Sequence, residues 1–260
     1  MNLLLEGRVA LVTGGGRGMG RGICKILAEE GAHVIVADIV MENAMEVVNW
    51  INEHGGHASQ AHIDITDPVS VEKVFTEAIE EFGKVDILVN NAGVTRMNKF
   101  EDIPLKEFNF VFNVNTTGTF ICCQEFTKHA IEGNYGGSIL NIASNAGKVG
   151  FQNQLHYNAA KAAVINMTRN LAAELAPHHI NVNAICPGAV ATEMLMEVAR
   201  SLSDGDEDEA KKIMQSFAVP QLGRLVLPEE IGKIVAFLVS DSASIIRGQS
   251  INVDGGATPY

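Results

Sequence analysis

Short β-branched apolar runs alternate with helix-length amphipathic stretches along the whole chain, and no other feature restricts its fold so strongly. The strand candidates lie at 9–13, 33–38, 57–63, 87–90, 138–143, 181–186 and 250–253. Most are almost continuously apolar, as parallel strands buried on both faces require. Parallel neighbours need crossovers of a dozen or more residues, and the stretches between the runs can supply them as helices. Asp67 and Pro68 read as the cap and first-turn proline of a helix reaching about Phe82, and Gly31 and Gly83 as helix stops. The expected fold class is α/β: a doubly wound parallel sheet of about seven strands, with helices on both faces, in a single domain over residues 1–260. One stretch breaks the rhythm. Residues 193–221 follow Pro187-Gly188, contain the acidic run 204–209, and read as a substrate lid with a solvated acidic face.

Of the 260 residues, 47% are hydrophobic and 19% charged, which suffices for a full core. The net charge of −12 argues against nucleic acid or an anionic membrane as partner. It leaves room for a dinucleotide held by backbone N–H groups. Cys24, Cys122, Cys123 and Cys186 show no metal-site spacing. They read as buried free thiols of a reducing compartment, and no metal site is expected. The opening MNLLLEGR lacks the basic and apolar regions of a signal peptide. No run approaches the roughly 18 apolar residues of a spanning helix. The expected location is cytoplasmic.

The first strand runs straight into Thr13-Gly14-Gly15-Gly16-Arg17-Gly18-Met19-Gly20, and a helical pattern follows. Glycines at 14, 18 and 20 permit a tight turn and close backbone approach to a pyrophosphate, which the helix N-terminus attracts. This strand–loop–helix context marks a Rossmann-type dinucleotide fold. Asp38 ends the second strand, where a carboxylate would accept hydrogen bonds from ribose hydroxyls and repel a 2′-phosphate. Ile39 supplies no cation for that phosphate, although Arg17 could. The charge argument favours NAD over NADP.

Tyr157 and Lys161 lie four residues apart in HYNAAKAAV, with Ser144 thirteen residues before the tyrosine. On a helix, positions i and i+4 share a face. A neighbouring ammonium would lower the phenol pKa and make Tyr157 a proton donor and acceptor near neutral pH. Alone, the pair could equally be a buried tyrosine beside a surface lysine.

Taken together, the motifs resemble the short-chain dehydrogenase/reductase family from about residue 6 to 256. They occur in its order: TGGGRGMG, Asp64-Ile65, Asn90-Asn91-Ala92-Gly93, Asn115, Ser144, Tyr157 with Lys161, Pro187-Gly188 with Thr192, and GQSINVDGG. The resemblance implies that Asp64 and Ile65 border the adenine, and that Asn91, Ala92 and Gly93 pass close to the adenosine half. It implies that Val190 and Thr192 hold the carboxamide, beside Pro187 and Gly188. Ser144 would steady the substrate oxygen and Tyr157 exchange the proton. Lys161 would bind the nicotinamide ribose, and Asn115 would interrupt its helix and hold a relay water. The activity implied is hydride transfer between a nicotinamide cofactor and a secondary alcohol or ketone.

Asn145, Ala146, Lys148, Gln152, Asn153, Gln154 and His156 are expected around the tyrosine, with His156 at the helix start or facing solvent, and the lid is expected to add the apolar Met194, Leu195, Met196 and Val198. Polar groups beside the tyrosine suit a small polyol, diol or hydroxy acid. The alternative is a reductase of the 3-oxoacyl-carrier-protein type, which the chain also resembles, and a third reading is a non-catalytic NAD(H) sensor. The helix after Pro104 and the one carrying Tyr157 hold more apolar residues than one sheet face can cover, and family members commonly pair these helices. A homotetramer is expected.

Overall fold

The computed structural model describes residues 3–203 and 205–258; Asp204, the first residue of the acidic run, lies outside them. All seven expected strands form: β1 (Val9–Thr13), β2 (His33–Asp38), β3 (His57–His62), β4 (Ile87–Asn90), β5 (Gly137–Ile142), β6 (Ile180–Pro187) and β7 (Ser250–Val253). They make one parallel sheet in the order β3-β2-β1-β4-β5-β6-β7. The order reverses between β1 and β4, and the carboxyl ends of those two strands open the crevice where such sheets bind ligands.

Alternate residues of a strand point to opposite faces, and the two cores divide accordingly. Ala10 and Val12 of β1 pack with α1 (Gly18–Glu29), α2 (Met41–Glu53) and α9 (Pro228–Val239). Val9 and Leu11 pack with α3 (Pro68–Phe82) and α5 (Thr119–Glu132). Further along that second face, α6 (Leu155–Glu174) covers Ala184 and Cys186 through Val164 and Ile165. The two edge strands depart from the buried apolar pattern: in β3 only Ala58 is buried, and in β7 every residue is half-buried. Asp67 caps α3 through Val69 N–H at 3.0 Å, and Gly83 ends it in the left-handed region at φ 79°.

A polar chain crosses the second core. Asn90 Nδ2 donates to Asn141 Oδ1 at 2.9 Å and to Cys123 Sγ at 3.2 Å, and Asn141 Nδ2 donates to Thr168 Oγ1 at 2.9 Å. It ties β4 and β5 to α5 and α6 beneath the carboxyl ends of the strands. Between β6 and α9 the excursion folds into α7 (Glu193–Leu202) and α8 (Glu207–Ser216). Its return is fixed by Arg224, whose guanidinium forks onto Glu230 at 2.7 and 2.6 Å. That fork and the Leu227 N–H hold the Glu230 carboxyl down at about 2.

Candidate active site

Two adjoining cavities lie over the carboxyl edge of the sheet. The first, of about 420 Å³, is lined by the loop after β1, by Asp38 and Ile39, by Asp64 and Ile65, and by Asn91, Ala92 and Gly93. The second, of about 310 Å³, is lined by Ser144, Tyr157, Pro187, Gly188 and Val190. Met19, Thr192 and Met194 line both.

The first cavity is built by backbone proximity. Gly14 has φ 61°, and a Cβ there would come 2.8 Å from Ala92 Cα. A Cβ on Gly20 would strike the Gly14 carbonyl oxygen and come 2.6 Å from Asn91 Nδ2. The loop has room for a pyrophosphate only while these positions stay bare. Thr13, which the motif reading passed over, organises the loop: its Oγ1 accepts from the N–H groups of Asn91 and Ala92, each at 3.1 Å. Asn91 Nδ2 returns to the carbonyls of Thr13 and Gly14 at 3.0 and 2.9 Å. Gly16 is another residue that motif spacing missed. Its N–H donates to Asp38 Oδ2 at 2.9 Å, while Val40 N–H donates to Asp38 Oδ1 at 3.0 Å. The carboxylate at the end of β2 is thus held in place at the cavity wall. A Gly-rich loop opening a helix, with a fixed acid beyond it, fits a dinucleotide with free ribose hydroxyls.

In the second cavity, Ser144 caps the turn Asn145–Gly147 that follows β5, and its Oγ accepts from Ala146 N–H at 3.1 Å. Tyr157 sits in the first turn of α6, hydrogen-bonded to Ser144. Lys161 follows one turn later, with its Nζ 5.8 Å from the Tyr157 ring centroid, and donates to the Ile142 carbonyl at 2.8 Å. The expectation that Lys161 lowers the tyrosine pKa is not met. Burial pushes the Tyr157 phenol up, with the Ser144 hydrogen bond acting the other way. Burial instead pulls Lys161 down to about 8.

Asn115 lies in a π-turn, Asn113–Gly118, between α4 (Leu105–Phe112) and α5. It is fully buried and lines neither cavity. Its Nδ2 donates to the carbonyls of Val94 and Val111, both at 2.8 Å, and its Oδ1 accepts from Val94 N–H at 3.3 Å. The expected helix interruption is present, and the side chain is spent on holding the loop that carries Gly93. Lys161 is also buried, behind the cavity wall.

The expected polar surround of the tyrosine is only partly present. Asn145, Ala146 and Gln154 line the cavity, but Lys148, Gln152, Asn153 and His156 do not. Lys148 Nζ donates to the Ser250 carbonyl at 2.6 Å. His156 lies at the helix start, as expected, and does not face solvent: it is fully buried, with Nε2 3.1 Å from Glu107 Oε1 on α4. In their place stand Phe151, Phe217, Val219 and Pro220, beside Met194, Leu195 and Val198 of the excursion.

Comparison with known proteins matches this geometry. A family model described as enoyl-(acyl carrier protein) reductase matches residues 14–258. Versicolorin reductase stcU of Emericella nidulans is 37% identical over 260 residues, covering 98% of this chain and 97% of that protein. The chain belongs to the short-chain dehydrogenase/reductase family. The 3-oxoacyl-[acyl-carrier-protein] reductase FabG of Aquifex aeolicus is 37% identical over 257 residues, covering 98% of this chain and 99% of that one. Among solved structures, levodione reductase superposes with a TM-score of 0.93 at 34% identity, covering 98% of this chain and 100% of that one. Such an oxidoreductase acts on CH–OH or keto groups with a nicotinamide cofactor. No helix among the described residues is long and apolar enough to cross a membrane.

Proposed function

We propose that the protein interconverts a secondary alcohol and a ketone with NAD as cofactor, in the cytoplasm and as a homotetramer. The observation that carries this reading is the pair Ser144 and Tyr157 in a cavity, with Lys161 buried one helical turn behind the tyrosine, and that cavity shares a wall with the cleft that ends at Asp38. Bound nicotinamide supplies the hydride acceptor or donor. Ser144 donates a hydrogen bond to the substrate oxygen and steadies its developing charge. The Tyr157 phenol gives a proton to that oxygen in reduction and its phenolate takes one back in oxidation. Lys161 holds the nicotinamide ribose and shares the proton of Tyr157. Asn115 positions the Gly93–Val94 loop, and a relay water would share its main-chain carbonyl, which already accepts from Thr119 Oγ1 at 2.9 Å. Asp38 receives the adenosine ribose hydroxyls, Val190 and Thr192 the carboxamide, and residues 193–221 act as the lid.

Of the small polar substrates, a diol suits the cavity best, since a hydroxy acid would bring a carboxylate to a wall with no cation among the described residues. The second reading, a 3-oxoacyl-carrier-protein reductase, is favoured by the FabG relatives. NADH absorbance with diols, polyols, hydroxy acids, secondary alcohols and a 3-oxoacyl thioester separates the two. No turnover with any of these, with NAD binding intact by calorimetry, would leave only a binding protein. For the cofactor, Asp38→Ser with Ile39→Arg should move the preference toward NADP by removing a repulsion and adding a cation. Equal kcat/KM with both cofactors in the wild type would dismiss Asp38 as the discriminator.

A further inference from the structure

Sorting the second cavity's polar side chains by what they already bond leaves two without a partner among the described residues. Ser144 and Tyr157 meet the reacting oxygen. Asn145 Nδ2 is taken by Thr258 Oγ1 at 3.3 Å and its Oδ1 lies 3.5 Å from Ser144 Oγ. Thr192 Oγ1 donates to the Val190 carbonyl at 3.3 Å and accepts from Leu195 N–H at 3.4 Å, capping α7. Gln154, three residues before Tyr157, lines the cavity, and its side-chain amide makes no hydrogen bond with another of the described residues. Thr95 is the other candidate, but its hydroxyl is buried away from the cavity surface without a partner. No Asp, Glu, Lys, Arg or His among the described residues lines this cavity, and most of the remaining wall is hydrocarbon.

These facts select a substrate by its desolvation. A carboxylate or phosphate would enter with no countercharge and lose its hydration uncompensated. A polyol would leave several hydroxyls without partners against Met, Leu and Phe side chains. A hydrocarbon body gains from the same wall in proportion to the apolar area it buries. A neutral amide rewards one further oxygen, as carbonyl acceptor or hydroxyl donor, because it offers both an N–H and a C=O.

We infer that the substrate is an uncharged, hydrocarbon-rich ketone or secondary alcohol carrying one further oxygen, and that Gln154 is the specificity-determining residue that receives it. This rests on the dehydrogenase reading above and narrows it.

The test uses NADH-linked kinetics on the full-length protein. Cyclohexanone and decalone are compared with their hydroxy and oxo derivatives, and with glycerol, sorbitol and a hydroxy acid in the oxidative direction. For the wild type, kcat/KM should favour the derivative with a second oxygen over the parent ketone by about tenfold, the worth of one well-made hydrogen bond. In Gln154→Leu that ratio should fall to about one, with the loss in KM. Gln154→Arg adds the missing cation and should raise hydroxy-acid turnover relative to the neutral substrates. Calorimetric NADH binding and the melting temperature check that each variant folds. Faster turnover of polyols or hydroxy acids than of the neutral ketones overturns the inference and leaves the dehydrogenase standing. An unchanged oxygen preference in Gln154→Leu also overturns it. No turnover with any compound, with NADH binding intact, overturns both readings.

Discussion

Burial acts on Tyr157 and Lys161 in opposite directions, and for the proposed reaction this sets the pH at which the pair can take up a proton. The phenol is pushed up and the ammonium pulled down to about 8, so the pair gives up its first proton near pH 8. Below that pH the pair is fully protonated and cannot accept the alcohol proton; above it, it can. Alcohol oxidation should therefore rise up to tenfold per pH unit on the acid side and level off beyond about 8, while ketone reduction falls there. Lys161→Met leaves only the raised phenol and should move the inflection upward, past the ordinary phenol value of about 10. A flat profile, with an isotope effect showing that hydride transfer limits the rate, would contradict the assignment. Tyr157→Phe keeps the ring and removes the hydroxyl proposed to exchange the proton. Turnover should drop by about 10²–10⁴ with NADH affinity retained, as stopped-flow and fluorescence titration would read. Survival of more than a few per cent of activity would move the proton to another group.

At the scale of elements, the loop between β1 and α1 should tolerate least. In Gly20→Ala the new methyl meets the Gly14 carbonyl and the Asn91 amide, so the loop must open where the pyrophosphate would lie. NAD binding should weaken by more than about tenfold, with circular dichroism unchanged, and calorimetry with wild-type affinity would refute the crowding argument. Such local features are legible in a sequence because their residues are adjacent in it. The Gly-rich turn, the Asp67 cap, the Gly83 stop and the spacing of Tyr157 to Lys161 each depend on a few consecutive positions. The pocket wall was legible only in part. Residues 145–154 adjoin the tyrosine in sequence, yet Lys148 turns to β7 and His156 to Glu107 on α4. Their places are taken by Phe217, Val219 and Pro220 from the far end of the excursion, which no local pattern connects to Tyr157. The pKa direction of Tyr157 was missed for a related reason: the spacing gives the nearby charge but not the depth of burial that outweighs it.

Across the whole molecule, the apolar surplus expected from the helices is unevenly spent. Val111, Phe126, Val164, Ile165 and Leu175 are buried within the chain itself. Leu105, Phe110 and Phe120 of α4 and α5 remain 73%, 43% and 47% exposed, so the outward apolar surface belongs more to these helices than to α6. A homotetramer should elute as a single species in light-scattering chromatography at micromolar concentration, and Leu105→Glu with Phe120→Glu should divide it. A monodisperse wild-type monomer would refute that assembly, and a stable dimer would keep only half of it. The interior carries a different kind of constraint. Asn90, Asn141, Thr168 and Cys123 bond to one another across two strands and two helices. An apolar replacement at one of them strands its neighbour at about 1–3 kcal/mol, whereas matched replacement of both partners can be nearly neutral. Descendants of this sequence would therefore cross these positions in pairs or not at all, and the sign of a mutation's effect here would depend on which ancestor received it.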